Sequence, residues 1–219
     1  MENCATDRGL RRRGARGRTL SLAACLLALA GACATPATGP LLLHPVPPVE
    51  KDYALVQGAI VYSGPGFTIS ARPWDYRLVV EEITRSGGRN PFGEGESAAG
   101  NFIFIRVRLE NRAAKSLLFN PMRATMTEGT ETPLTPVENA DIVAFADENS
   151  AAAEELARAF RKLSFDLTAT VPAGGTLERY LIFRAPEEHP KALELQLDDL
   201  WLGSTSFDLR FRFETYPGK

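Results

Sequence analysis

The side chains best suited to acid–base catalysis are scarce in this chain. It contains two histidines, His44 in a proline-rich stretch and His189 directly before Pro190. Neither has a catalytic partner nearby in the sequence, and the Gly-x-Ser-x-Gly motif that carries a hydrolase nucleophile does not occur. Zinc needs clustered histidine or cysteine ligands. We therefore expect neither a histidine-based enzyme nor a zinc site, and no cofactor.

Carboxylates are more plentiful and could bind calcium or act as acid–base pairs. Asp141, Asp147 and Glu148 could offer oxygen ligands to calcium, although their spacing does not match an EF-hand loop. The alternative is a solvated acidic loop. The adjacent pairs Glu81–Glu82 and Asp198–Asp199 would lie on opposite faces of a strand, which is unsuitable for paired acid–base work. An acid pair assembled from distant strands stays open.

A glycine-rich segment, residues 86–97, is the remaining candidate for a binding loop. It lacks the Gly-Lys-Ser/Thr ending of a phosphate-binding loop. As the tip of a hairpin it could present Phe92 to a ligand, since loops on rigid sandwiches often carry function. The alternative is a plain hairpin. We interpret Trp74, Tyr76 and Trp201 as packing residues rather than a platform for sugars.

The first 32 residues resemble an export signal. Six arginines precede an uncharged run over residues 19–38, whose apolar core is residues 20–30. This order of a basic segment and a short apolar segment is typical of signal peptides. The apolar core is shorter than the roughly 20 residues that span a membrane. We therefore predict a cleaved signal rather than a permanent transmembrane anchor.

The end of the apolar core carries a second signal, the sequence Leu-Ala-Gly-Ala-Cys that ends at Cys33. It resembles the lipobox of bacterial lipoproteins, with Ala30 where that family prefers leucine. The resemblance implies cleavage between Ala32 and Cys33, acylation of Cys33, and stable anchoring by two or three acyl chains. The alternatives are ordinary secretion and an organelle transit peptide. Residues 34 and 35 lack the aspartate of inner-membrane retention, so we expect the outer membrane, facing the periplasm.

The predicted mature chain is acidic and lacks free thiols. Cleavage would leave 187 residues with 19 basic and 25 acidic side chains, a net charge of −6. A negative chain without a basic cluster is not expected to bind nucleic acid. Cys4 and Cys25 would leave with the signal and Cys33 would be acylated. No disulfide or thiolate chemistry is therefore expected in the domain.

The body of the chain has the period-two alternation of strands that are buried on one face. Residues 193–197, 207–213 and 165–171 alternate between apolar and polar side chains. Residues 102–109 are apolar on both faces at their start, which predicts a central strand, and residues 76–80 also predict a strand. With the turn clusters between them, these patterns predict an antiparallel immunoglobulin-like β-sandwich of seven to nine strands.

One helix and one tether complete the predicted organisation. Residues 150–162 have apolar side chains at helical spacing, with acids near the start and bases near the end, so we predict an inserted helix there. Residues 33–50 contain five prolines and predict an extended tether. At full polyproline extension it would reach about 50 Å from the anchor. The domain boundaries are then 1–32 signal peptide, 33–50 acylated tether and 51–219 sandwich.

Two stretches resemble a known group of domains. Residues 101–112, a strand ending in an asparagine turn, and residues 171–186, a proline–glycine turn followed by a strand, are similar to telokin-like immunoglobulin-fold domains of bacterial lipoproteins. The match covers roughly residues 98–214. It implies a fold and no active site, because the matched residues belong to turns and core.

These observations lead to three hypotheses about function. The first is a non-enzymatic envelope protein, anchored to membrane lipid through Cys33, that binds another envelope protein or stabilises an assembly. The second is a module that binds a small ligand, a sugar or calcium through residues 86–97 and 137–150. The third is an enzyme. An exposed interaction surface would favour the first, whereas a concave pocket with convergent polar groups would favour the second.

Overall fold

Two antiparallel β-sheets pack face to face and enclose the main hydrophobic core. The computed structural model describes residues 41–46, 49–85, 102–128, 132–138, 141, 158, 161–165 and 167–217. All of them belong to one compact unit that covers residues 36–219. The predicted fold class, a mainly β antiparallel sandwich, is confirmed.

Eleven strands and one complete helix form the described part of the chain. The strands are β1 (Leu41–Pro45), β2 (Tyr53–Val56), β3 (Ala59–Gly64), β4 (Phe67–Trp74), β5 (Phe102–Asn111), β6 (Leu117–Phe119), β7 (Ala124–Thr127), β8 (Ala169–Val171), β9 (Thr176–Arg184), β10 (Ala192–Leu202) and β11 (Thr205–Pro217). The helix is α1 (Tyr76–Arg85), and a 3-10 turn covers Pro121–Arg123. The number of strands exceeds the predicted seven to nine because some strands, such as β1, lie where we predicted none.

The two sheets differ in size. The six-stranded sheet has the order β1-β11-β10-β6-β8, and β7 pairs with β10 as well. The five-stranded sheet has the order β2-β3-β4-β5-β9. Neighbouring strands are antiparallel throughout both sheets. This connectivity places β4 and β5 in the interior of the five-stranded sheet.

Alternate residues of β10 and β11 fill the core, as the period-two pattern predicts. The buried set is Leu193, Leu195, Leu197, Leu209, Phe211 and Phe213. In the register of the two strands, Leu195 lies opposite Phe211 and Leu197 opposite Leu209. One face of each strand is therefore removed from water, which is the main driving force for packing the sheets.

The alternation predicted for residues 165–171 is wrong at one position. Phe165 and Val171 are buried, but Leu167 is 75% exposed. The regular strand β8 begins only at Ala169, and the chain bends at Leu167. Because the bend interrupts the period of two, Leu167 does not share the face of Phe165.

The start of β5 is buried on both faces, as expected for a central strand. Ile103 and Ile105 belong to the core between the sheets. Phe102 and Phe104 lie on the other face and form a second hydrophobic cluster with Val79 of α1. The helix therefore covers the outer face of the five-stranded sheet at one end and leaves the rest of that face uncovered by α1.

The strand predicted for residues 76–80 is wrong, because this segment begins helix α1. Asp75 caps the helix: its carboxylate accepts a hydrogen bond from the backbone N–H of Arg77 at 2.8 Å. Its carbonyl oxygen accepts from the N–H groups of Leu78 and Val79. Val79 and Ile83, one helical turn apart, are the buried residues of α1. Cap and apolar spacing together outweigh the β preference of the valines.

The helix predicted for residues 150–162 falls mostly outside the described residues. Within that range the structure describes Arg158, Arg161 and Lys162, which have helical backbone. Leu163 packs beside the second cluster. The loop at 86–97 lies outside the described residues, and of residues 137–150 the structure describes Val137, Glu138 and Asp141.

Part of the predicted tether is a strand of the sandwich. Leu41–Pro45 pairs with β11 along its length, with Leu43 opposite Thr215 and Pro45 opposite Phe213. Leu41 and Leu43 pack against the core. The proline-rich sequence was expected to be extended; Leu41–Pro45 is extended, and its leucines add a face packed on the core that holds it on the sheet edge.

The side chain of Asn111 joins two turns at one end of the sandwich. Its side chain is 1% exposed, and Nδ2 donates hydrogen bonds to the carbonyl oxygens of Lys115, Val171 and Pro172 at 2.8, 2.9 and 3.1 Å. Its Oδ1 accepts from the N–H of Ala113 at 3.0 Å. A buried amide satisfied in this way orders the chain around it. The asparagine of the predicted turn is thus a structural residue.

Candidate functional site

The exposed part of the five-stranded sheet carries a charged and aromatic surface. We call it the arginine–tryptophan face and define it by Arg72, Trp74, Arg106, Arg108, Glu110 and Glu178. These residues, with neighbours on β3 and at the end of β2, line a concavity of about 530 Å³. The face begins where α1 stops covering the sheet. Its position makes it the candidate site of this molecule.

Strand alternation places these side chains on one face. Ala71 on β4 and Val107 on β5 are fully buried in the core, so Arg72 and Arg106 point outward. The register then brings distant residues together. Arg72 lies opposite Arg106, and Arg108 lies between Ser70 and Glu178. Three strands, β4, β5 and β9, therefore contribute to one continuous row of polar groups.

Two glutamates neutralise part of the positive charge. Glu178 forms ion pairs with Arg106 and with Arg108, the latter at 3.4 Å. Glu110 Oε1 lies 2.7 Å from Arg108 Nη2, and its Oε2 lies 3.1 Å from Arg112 Nη2. Partial burial opposes ionisation of Glu110, but the hydrogen bonds and charges of Arg108 and Arg112 outweigh it and lower its pKa. Both glutamates are therefore engaged by arginines.

Trp74 lies against two of the arginines. The guanidinium carbon of Arg72 is 4.6 Å from the centroid of the Trp74 ring, and that of Arg106 is 4.7 Å away. These distances are typical of cation–π interactions. The indole Nε1 is buried and has no hydrogen-bond acceptor among the described residues. Packing and the two cations therefore hold the ring in place.

The helical end of the face is fixed by a buried tyrosine. Tyr180 on β9 is 2% exposed, and its hydroxyl donates a hydrogen bond to Glu82 Oε2 on α1 at 2.5 Å. Burial, together with the hydrogen bond and charge of Glu82, raises the pKa of Tyr180 well above its usual range. Arg106 lies 5.9 Å from the Tyr180 ring. Tyr180 therefore contacts both Glu82 of α1 and Arg106 of β5 and links the helix to the arginines of the face.

A smaller apolar groove of about 270 Å³ lies on the other side of Trp74. Leu41, Leu42, Pro73, Tyr76 and Leu78 are among its lining residues. Leu42 and Leu78 are 42% and 43% exposed. The groove joins β1 to the start of α1. Trp74 borders both concavities and is the residue they share.

Asp141 is the one sequence candidate that the structure describes, and it is not among the residues that line this face. Asp141 is exposed, and its backbone N–H donates to the carbonyl of Glu138 at 3.0 Å. Ala32, Cys33, Phe92, Asp147 and Glu148 lie outside the described residues.

The two histidines lie on different elements, one on a strand and one in a connection between strands. His44 on β1 makes an edge contact with the Tyr216 ring, whose centroid is 6.4 Å away. His189 lies between β9 and β10. In the described part of the chain, no group of three or more histidine, cysteine, aspartate or glutamate side chains could hold a metal ion. No helix within the described ranges is long and apolar enough to cross a membrane.

Adjacent acids also behave differently from the prediction. Glu81 and Glu82 were placed on opposite faces of a strand, and this is wrong because both lie on α1. Asp198 and Asp199 sit at a bulge in β10. Asp199 has a φ of 55°, and its carboxylate binds Arg123 Nη2 at 2.5 Å. Neither pair joins the arginine–tryptophan face.

Sequence reasoning missed the arginine–tryptophan face. The alternation of Arg106, Arg108 and Glu110 along β5 is visible in the sequence and indicates a polar outer face. The pairing of these residues with Arg72 and Glu178 depends on strand order, which alternation does not provide. Trp74 was interpreted as a packing residue, and its ring does pack against the second hydrophobic cluster, but it also contacts two cations.

Comparison with known proteins adds a weak likeness to solved structures. No family model matches the chain. No curated protein is significantly similar to it. Among solved structures, the chain is similar to the yjhA protein from Bacillus subtilis, with 14% sequence identity and a TM-score of 0.32, over 50% of this chain and 73% of that one.

Proposed function

We propose that this chain is an exported bacterial lipoprotein whose β-sandwich is a non-enzymatic module for binding another envelope protein. The proposed contact surface is the arginine–tryptophan face. The observation that carries it is the contact of Arg72 and Arg106 with the ring of Trp74, on a part of the sheet that α1 does not cover. Tryptophan, tyrosine and arginine dominate the binding energy of protein interfaces.

The surroundings of the face support the same function. Val56 at the end of β2 lines the concavity and is 49% exposed. Leu55 beside it is 43% exposed. An aromatic and arginine centre with exposed aliphatic neighbours has the composition of an interface core. Glu110 and Glu178 keep the arginines ordered before a partner arrives, which reduces the entropy lost on binding.

The proposed anchor would hold the domain close to the membrane. Since Leu41–Pro45 is a strand, the segment between an acylated Cys33 and the sandwich would be residues 34–40. It would then reach about 25 Å in polyproline conformation, half of the length predicted from the sequence. A partner would therefore be a protein at or near the same membrane.

The anchor is tested by the substitution Cys33→Ser in the full chain. We expect the wild-type protein to fractionate with membranes and to carry the added mass of acyl chains. The variant should lose both. A variant that stays in the membrane fraction with the mass of the wild type would contradict lipidation.

The interaction is tested by photo-crosslinking in cells. A photoreactive amino acid at Ser70, which lines the face, should form a crosslink to a discrete protein. Ser206 on β11 is the matched control, because it is an exposed serine on a strand of the other sheet. Crosslinks of equal yield from both positions, or none from Ser70, would contradict the proposal.

A second candidate function is binding of a small ligand in the same concavity. Its volume of about 530 Å³ is comparable to that of small-molecule sites. Native mass spectrometry of protein released from its own envelope distinguishes the two. A bound small molecule that is lost on Trp74→Ala would favour this candidate over a protein partner.

A further inference from the structure

We propose that the arginine–tryptophan face binds a single carboxylate presented by an extended segment of a protein, with Arg72 as its main contact. This inference rests on the proposed function and specifies the chemistry of the partner. It excludes a polyanion as the ligand. The argument combines the charges on the face, the position of Arg72 and the charge of the chain.

One arginine of the face, Arg72, forms no ion pair with the described residues. Arg106, Arg108 and Arg112 are all ion-paired with Glu110 or Glu178. Arg72 has no acidic partner among the described residues, and its exposed guanidinium contacts the Trp74 ring. In the register of β4 and β5 it lies opposite Arg106. Like charges directly opposite each other destabilise a sheet, so an incoming anion would relieve this repulsion.

Arg72 is also positioned to bind an anion. The Trp74 ring restrains its guanidinium, which lowers the rotamer entropy that binding would cost. Ala59 and Val61 of β3 line the concavity beside it. An apolar surrounding strengthens a charge-assisted hydrogen bond, and the planar guanidinium can bind both oxygens of a carboxylate.

The charge of the chain indicates which anion fits. Beyond residue 32 the chain carries a net charge of −6, so a polyanion would be repelled at long range. One carboxylate on an otherwise neutral segment avoids that repulsion. The concavity also presents Val56 and Val61, which suit the aliphatic side chains that flank an acidic residue in an extended peptide. A protein segment therefore fits better than an acidic glycan.

The test is a titration followed by nuclear magnetic resonance. The chain has two tryptophans, so the indole N–H signal of Trp74 reports on the face and that of Trp201, on the other sheet, is an internal control. The probes are the capped peptides acetyl-Val-Glu-Val-amide and acetyl-Val-Gln-Val-amide, and an oligogalacturonate as the acidic glycan. We expect the glutamyl peptide alone to shift the Trp74 signal and to leave that of Trp201 unchanged.

Matched arginine variants complete the experiment. Arg72→Gln should weaken binding of the glutamyl peptide by about tenfold or more, as expected for loss of a charged hydrogen bond. Arg212→Gln, at an exposed arginine of β11, should leave it unchanged. The proposal is wrong if the glutamyl peptide does not shift the Trp74 signal up to its solubility limit. It is also wrong if both peptides shift that signal equally, or if only the glycan shifts it.

The two proposals fail separately. Crosslinks from Ser70 that persist at full yield in Arg72→Gln would leave the protein partner standing and overturn the carboxylate. Absence of crosslinks, with the peptide still bound through Arg72, would overturn the protein partner. In that case the carboxylate site would remain, as a site for a small acidic ligand.

Discussion

The hydroxyl of Tyr180 on β9 donates a hydrogen bond of 2.5 Å to Glu82 on α1 and so joins the helix to the sheet. Tyr180→Phe removes the hydroxyl, so the Glu82 carboxylate loses this hydrogen bond at the edge of the second hydrophobic cluster. We expect a loss of about 1 kcal/mol in the free energy of unfolding at neutral pH. Urea denaturation of both proteins measures it. An unchanged midpoint would show that water replaces the hydroxyl without cost.

The same tyrosine predicts a difference at alkaline pH. Burial and Glu82 raise the pKa of Tyr180 above its ordinary value of about 10. At a pH between the ordinary pKa and the raised pKa of the folded protein, the unfolded chain releases this proton and the folded chain keeps it. The resulting stabilisation is therefore fully present below pH 10 and is lost as the pH rises further. Above pH 10 the wild type should lose stability more steeply than Tyr180→Phe. Parallel curves would contradict the raised pKa.

Asn111 is expected to be the most sensitive polar residue of the domain. Asn111→Ala leaves the carbonyl groups of Lys115, Val171 and Pro172 without their shared donor in a buried site. We expect a loss of about 2–4 kcal/mol in the free energy of unfolding. Asn120→Ala, which removes the cap of the 3-10 turn, should cost about 1 kcal/mol. Equal losses in the two variants would contradict the role assigned to Asn111.

Ile83 is expected to hold α1 on the sheet. It is fully buried in the second hydrophobic cluster with Val79 and Phe104. Ile83→Ala should cost about 2–4 kcal/mol, because it removes buried methyl groups and leaves a cavity. Leu78→Ala is the control, since Leu78 is 43% exposed on the same helix and should cost much less. Thermal unfolding by circular dichroism ranks the two, and the reverse order would contradict this packing.

Asp199 occupies a backbone conformation that disfavours branched side chains. Its φ of 55° lies in the left-handed region, at the bulge of β10. Asp199→Gly should therefore be tolerated, whereas Asp199→Val should cost about 1–2 kcal/mol. Asp198→Val, at the preceding position, controls for placing a valine at the bulge, and Asp199→Gly controls for loss of the carboxylate that binds Arg123. Chemical denaturation should separate the two valine variants, and equal stabilities would show that the bulge relaxes.

The agreement between sequence and structure varies by element. Burial of Leu195 and Phe211 followed from alternation, and the two apolar faces of β5 followed from Phe102–Ile105. Alternation failed at Leu167, because a bend within the segment is not visible in a pattern of side-chain types. It also failed at residues 76–80, where a helix cap at Asp75 competes with strand-forming valines.

Local pattern and long-range pairing explain this difference. The sequence by itself determined that the domain is an antiparallel sandwich, because one-sided burial repeats every second residue and is written within each strand. It also contains the charges of Arg72, Arg106, Arg108 and Glu178. Only the tertiary structure decided that they meet, because β4, β5 and β9 pair in a register set by the packing of both sheets. The candidate site is a product of that register.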